Sequence, residues 1–207
     1  MKRDLDLVRI ISFIFFDGHL YKDLTGFYFS SKNINVLKEL DKIVQKKLQI
    51  KGRFYYNDGG AGKTKTHKYR VFNKKICSEL YNLGVPKGDK TITKFSIPEW
   101  ILKNRKFSRE FVRVAYFCEG SMKEKRKNPR IRFNLNKAEI LLKNGIDFIE
   151  QIRKILRDNK IETTEIGIYN AKTRKKDNIP VKELRLRIIT KDNNRFIKLI
   201  NPFLMWG

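Results

Sequence analysis

Two stretches of the chain are apolar on nearly every side. In LVRIISFIFFDG (7–18), apolar residues hold positions 7, 8, 10, 11, 13, 14, 15 and 16. They cover most of a helix's circumference and predict a helix buried on several sides. FVRVAYFCEG (111–120) predicts a second such helix, and it too ends on an acid before glycine. Asp4 is placed to cap the first helix with Asp6 two residues on, and Ser108 the second with Glu110 two residues on. Acids in a first turn face the positive end of the helix dipole. Gly18 and Gly120 fit the stop position after a helix.

The elements after each of these helices repeat as well. The first half continues with a strand-like GFYFSS (26–31), a helix over about 33–47 and a hairpin. The hairpin arms are KGRFYY (51–56) and HKYRVFN (67–73), and a short helix over about 76–83 closes the half. The second half continues with RIRFN (130–134), a helix over about 146–157, hairpin arms TEIGIYN (164–170) and VKELRLRIIT (181–190), and a short helix over about 193–200. With a short strand after each acid–glycine corner, both halves read α-β-β-α-β-β-α. The expected architecture is α+β, a pseudo-twofold pair of repeats over 1–85 and 107–207. They are joined by a basic linker at 86–106, punctuated by Pro86, Gly88 and Pro98.

Alternation within the strands separates an apolar inner face from an outer one. Ile131 and Phe133 oppose Arg130, Arg132 and Asn134; Leu184, Leu186 and Ile188 oppose Arg185 and Arg187; Phe54 and Tyr56 oppose Lys51, Arg53 and Tyr55. Arg70 lies in the other arm of the first hairpin. For any one strand this is a solvated basic face. As a set, Arg, Lys, Asn and Tyr are the side chains that contact phosphates and base edges.

Composition sharpens that choice. Among 207 residues, 47 Lys and Arg against 22 Asp and Glu give a net charge of +25. A polyanion is the expected partner of such a surface: nucleic acid first, an anionic membrane surface second. A disordered basic tail is excluded, because 41% hydrophobic residues supply a core. Cys77 and Cys118 are the only cysteines and lack CxxC spacing, which fits a reducing compartment. The first 18 residues imitate a signal peptide, but Asp4 and Asp6 interrupt the basic start, and no small-residue cleavage site comes after them. No apolar run reaches the roughly 20 residues of a membrane span. A cytoplasmic, nucleoid-associated protein is expected.

Asp17 and Glu119 occupy matched places, each at the negative end of a helix dipole, where a carboxylate costs about 0.3–1 kcal/mol. Each can be read as a mere helix terminator. If the two helices pack along the pseudo-twofold, however, the acids emerge side by side. Paired carboxylates repel unless a cation such as Mg²⁺ is shared.

IISFIFFDG (10–18) and VRVAYFCEG (112–120) resemble degenerate copies of the motif that defines the LAGLIDADG homing endonucleases. The half-length separation, element order and basic sheet face are similar to single-chain, two-repeat members. GVPKGDKTITKFSIPEWI (84–101) resembles the segment joining the repeats in archaeal ones. The resemblance implies a monomeric, site-specific double-strand DNA endonuclease, with two antiparallel sheets forming a saddle over the duplex and the motif helices paired at the centre. It implies Mg²⁺ or Mn²⁺ held by Asp17 and Glu119, helped by the carbonyls of Phe16 and Cys118, and in-line hydrolysis of each strand. It also implies polar residues near the metals: Ser31 and Lys32, Asn136 and Lys137, and a catalytic Lys90 with Lys94 as substitute. Lys32, Asn136 and Lys137 join the DNA-binding set of Lys51, Arg53, Tyr55, Arg70, Arg130, Arg132, Asn134, Arg185 and Arg187.

The sequence departs from the family where small residues let the paired helices approach: Ser12 and Phe16 stand in one helix, Val114 and Cys118 in the other. Bulky Phe16 and Val114 keep open a second reading, a non-cleaving binder of the same fold such as an intron-RNA maturase. Without splicing residues at its ends, the chain reads as freestanding rather than an intein. DGGAGKT (58–64) imitates a phosphate-binding loop, but Asn57 replaces the required glycine and a strand pattern comes next, so a hairpin tip is expected. KEKRKNPR (123–130) reads as a β-turn. His19 and His67 have no partners at metal-ligand spacing.

Overall fold

The computed structural model describes residues 1–57, 66–123, 129–171 and 173–201. The reading of 58–64 as a hairpin tip, and residues 124–128 of the turn read over 123–130, lie outside them. The chain divides into two compact units between Gly88 and Asp89.

In unit 1 the order is α1 (Leu5–Phe15), β1 (Gly18–Leu20), β2 (Gly26–Ser31), α2 (Ile34–Leu48), β3 (Arg53–Asn57), β4 (Thr66–Phe72) and α3 (Lys74–Asn82). The four strands form an antiparallel sheet ordered β1-β2-β4-β3. Asp4 caps α1 by accepting from the Leu7 N–H, as its position predicts. Every residue of α1 from Ile10 to Phe15 is buried, along with Leu7 and Val8. Each such apolar side chain contributes about 1.5–3 kcal/mol. Phe13 meets Phe29 edge-on, and Phe29 lies parallel to Tyr69 at 6.2 Å. The inner face of the sheet is thereby sealed. Cys77 is buried on α3, and burial pushes its thiol up to about 11, so it is chemically quiet.

Unit 2 contains α4 (Glu99–Leu102), α5 (Arg105–Glu119), β5 (Gly120–Lys123), β6 (Arg130–Ala138), α6 (Leu142–Asp158), β7 (Gly167–Asn170), β8 (Val181–Arg187) and α7 (Asn193–Ile200). Its sheet is ordered β5-β6-β8-β7, the topology of unit 1 over again. Helix α5 begins a turn earlier than its sequence suggests: Asn104, not Ser108, is the cap, accepting from Lys106 and Phe107. Ser108 and Glu110 are instead buried within the helix, Glu110 paired with Arg113 at 3.1 Å. The hydrophobic pattern marks where a helix must be buried, but its polar first turn is legible only through the cap.

The segment expected to link the halves is built into unit 2 from Asp89 onward. Asn144 on α6 accepts from the Phe95 N–H and donates to its carbonyl; Gln151 accepts from the Ile97 N–H. Lys137, expected to contact DNA, is the centre of this attachment. It is 0% exposed. Its ammonium donates to the carbonyls of Lys90 and Thr93 and sits 3.8 Å from the centroid of the Phe95 ring. Strand β6 runs to Ala138 rather than stopping at residue 134, which turns Lys137 into the core. The DNA-binding assignment of Lys137 is therefore corrected to a structural one.

Asp89 completes the clamp. Burial draws its carboxyl upward, but Lys176, Arg174 and the Thr91 N–H outweigh burial and hold it well below the usual carboxylate range.

Burial pushes Lys137 down to about 8, against an opposing pull from Asp89. An unfolded lysine titrates at about 10.4, so between these values the unfolded chain binds a proton that the folded one has released. Stability must then rise with pH through that window. Wild type is expected to gain on the order of 2–3 kcal/mol relative to Lys137→Met between about pH 8 and 10.5. Denaturant melts at each pH measure this; parallel profiles for the two proteins would refute it.

Candidate nucleic-acid interface

The two acid–glycine corners are built alike. Asp17 lies between the end of α1 and β1, half-buried, and its carbonyl accepts from the Ser30 N–H at 2.8 Å. Glu119 is the last residue of α5, half-buried, with β5 beginning at the next residue. Gly18 pairs with Phe29 and Gly120 with Phe133 in the two sheets.

The reason for the glycines differs from the expected one. Gly120 has φ −79°, ordinary for any residue, and neither corner lies in the left-handed region, so no left-handed stop is present. What excludes a side chain is proximity. A Cβ at Gly18 would lie 2.7 Å from the Tyr28 carbonyl and 2.8 Å from the Ile14 Cα; one at Gly120 would lie 2.2 Å from the Tyr116 carbonyl. Strand and helix meet without a gap, and the preceding acid is fixed at that junction.

The shared register lets the outer faces be compared position by position. Tyr28 on β2 corresponds to Arg132 on β6, Ser30 to Asn134, Lys68 to Arg185, and Arg70 to Arg187. In unit 1 the outer face carries His19, Tyr28, Ser30, Lys68, Arg70, Arg53 and Tyr55. His19 stacks on Tyr28 at 5.4 Å; Lys68 lies over Tyr28, and Arg70 lies over Tyr55 at 4.6 Å. In unit 2, Arg132 donates from Nε to Ser121, and Arg185 lies over Tyr169 while bonding Glu183 at 2.6 Å. That bond comes first among the causes holding Glu183 below its ordinary range.

Each sheet also sets two arginines directly opposite one another: Arg53 with Arg70, and Arg132 with Arg187. Like charges in register oppose folding by about 0.2–1 kcal/mol. Three enclosed polar atoms without a hydrogen-bond partner also fall on these faces: Arg70 Nε, Asn134 Oδ1 and Arg185 Nε. Both features weaken the free protein and suit a surface completed by a polyanion.

Arg130 and Asn136 are exposed on β6, and Lys32 is exposed just past β2. Lys51 is exposed but precedes β3, so it belongs to no strand. Lys90 is half-buried, its carbonyl bound by Lys137, and Lys94 is exposed. Ser31 uses its hydroxyl to accept from the Asn33 N–H. Phe16 and Cys118 are half-buried, while Ser12 and Val114 are wholly buried. Ser121 escapes sequence reasoning, since a lone serine after a glycine carries no pattern; only register places it beside Arg132.

Among the described residues no three His, Cys, Asp or Glu side chains gather in a way that could hold a metal. Each unit offers one carboxylate at a helix end, a donor of hard oxygen. A carboxylate of this kind suits Mg²⁺, which takes one or two carboxylates and keeps waters and substrate phosphates for the rest, better than zinc. No helix among the described residues is long and apolar enough to cross a membrane.

No protein-family model matches the chain. Over 94% of its length it is 29% identical to a tRNA-splicing ligase RtcB of Pyrococcus abyssi, and over 93% it is 31% identical to a replication factor C small subunit of Methanocaldococcus jannaschii. The chain spans only 22% and 10% of those proteins. Among solved structures it is similar to the N-terminal LAGLIDADG domain of DUF199/WhiA, with TM-score 0.57 and 17% identity, covering 96% of this chain and 82% of that one. It is likewise similar to the homing endonuclease I-WcaI bound to its DNA recognition sequence, with TM-score 0.59 and 14% identity, covering 97% and 82%. With its two four-stranded antiparallel sheets, this chain has the α+β fold of the LAGLIDADG domains.

Proposed function

We propose that the chain binds double-stranded DNA through the outer faces of its two sheets and cleaves it at a specific site. One observation carries this reading: in both units a helix, buried throughout Ile10–Phe15 in α1 and along Phe111, Val112, Val114 and Ala115 in the more exposed α5, delivers a half-buried acid to the first strand of a sheet whose outer face opposes arginine to arginine. The I-WcaI likeness supports it, since that protein is seen on its recognition sequence. The ligase and replication-factor names do not transfer. The two names describe different activities, and one stretch of about 200 residues is similar to a minor part of each. Similarity to a minor part of each carries over neither protein's chemistry.

In this reading Asp17 and Glu119, with the carbonyls of Phe16 and Cys118, hold Mg²⁺ or Mn²⁺. When bound, the ion supplies Lewis acidity toward a phosphodiester oxygen. The chain's own residues bind and orient the duplex. Arg53, Lys68, Arg70, Arg130 and Arg187 neutralise phosphates, and Lys90 carries positive charge from a main chain fixed by Lys137. The protein acts as a monomer with an internal repeat.

A second reading, a non-cleaving binder of DNA or intron RNA, is favoured by Val114, a bulky residue buried where the family has small ones. Selection of binding sites from a random duplex library, then incubation of the winners with protein and Mg²⁺, separates the two. Double-strand breaks at one position support the nuclease. Tight binding without breaks in Mg²⁺ or Mn²⁺ supports the binder, and preference for RNA over duplex DNA points to the maturase.

A further inference from the structure

Resting on that DNA-binding reading, we infer that Arg132 reads a guanine in the major groove and that Ser121 is the residue that positions it. Arg132 stands on the outer face of β6, and Ser121 is its register partner on β5. Arg132 Nε–H donates to Ser121 Oγ at 2.9 Å. A guanidinium is planar, so a bond at Nε fixes the plane in which both terminal nitrogens lie. Those nitrogens make no hydrogen bond among the described residues, and Glu183, whose carboxylate feels the Arg132 charge, is bonded to Arg185 instead. This is the donor pair that matches O6 and N7 of guanine, the commonest specific contact of arginine in the major groove.

Two other arginines of this face are disposed differently. Arg185 has already committed a terminal nitrogen to Glu183 and lies over Tyr169. Arg187, opposite Arg132, has no orienting bond among the described residues, which suits a phosphate contact rather than a base. In unit 1 the positions matching Ser121 and Arg132 hold His19 and Tyr28, stacked on each other. The guanine preference therefore belongs to the part of the target contacted by unit 2 and has no counterpart from unit 1.

The test is binding-site selection from a random duplex library with wild type, Arg132→Lys, Ser121→Ala and Ser121→Thr. Wild type is expected to select a guanine at one position that Arg132→Lys no longer selects, with preference there falling about tenfold or more. Affinity for unrelated duplex should fall by much less than the preference at that one position, because the charge is kept. Ser121→Ala should blur that same position alone, and Ser121→Thr, which restores a hydroxyl, should recover it. A merely structural serine would not move one base preference selectively. Equal loss across all sequences, or a preference unchanged in Arg132→Lys, overturns the assignment while leaving DNA binding intact. Failure of wild type to bind any duplex overturns both.

Discussion

Asp17→Asn and Glu119→Gln are each expected to lower metal-dependent strand cleavage about a thousandfold or more, while duplex binding is retained or tightens. Removing one preorganised charge from a phosphoryl-transfer site forfeits several kcal/mol of transition-state stabilisation, and about 4 kcal/mol is a thousandfold. Affinity should survive because the cations proposed to meet phosphates sit on strands, not at the helix ends, and losing a carboxylate would remove a repulsion from the backbone. Folding should respond in the opposite sense. Each acid lies at the negative end of a helix dipole, and removing its charge relieves that one contribution of about 0.3–1 kcal/mol. A variant that is inactive, binds DNA and melts no lower than wild type is the signature of an acid kept for chemistry. Normal cutting by both variants would remove the nuclease assignment. A fall in melting temperature would make these acids helix terminators in their own right.

Apolar periodicity specified the fold because it counts what must be buried. The run from Leu7 to Phe15 and the alternation of Ile131, Phe133, Leu184 and Leu186 each admit one burial pattern, and that pattern is present. Polar signals were less legible because they depend on what lies opposite. Ser108 looks like a cap from its neighbours, yet the helix begins at Arg105 because Asn104 supplies the oxygen. Lys137 reads as one more surface cation until β6 is seen to continue to Ala138 and the chain after Asp89 closes over it. The corner glycines were placed correctly for the wrong reason, since sequence shows that a Cβ is absent but not what it would strike. The Arg53–Arg70 and Arg132–Arg187 pairings and the Ser121–Arg132 bond belong to strand register. Register arises from two segments meeting, and neither segment contains it.

Register also decides how the charge of +25 is deployed. Only cations presented together can displace counterions from one duplex. The two outer faces offer Arg53, Lys68 and Arg70 from one unit and Arg130, Arg132 and Arg187 from the other. Arg185 is partly neutralised by Glu183, and Lys137 is buried. With about five or six phosphates neutralised, the slope of log affinity against log salt is expected near −5, about a thousandfold loss between 50 and 200 mM salt. Single substitutions sort the cations further. Arg187→Gln should make the slope shallower by about one, whereas Lys137→Met should leave it unchanged despite removing the same formal charge. Fluorescence titrations of labelled duplex across a salt series measure both. A slope shallower than about −2 would mean that the sheets do not share a duplex. A slope that falls equally for Arg187→Gln and Lys137→Met would mean that net charge, rather than the register of these faces, governs binding.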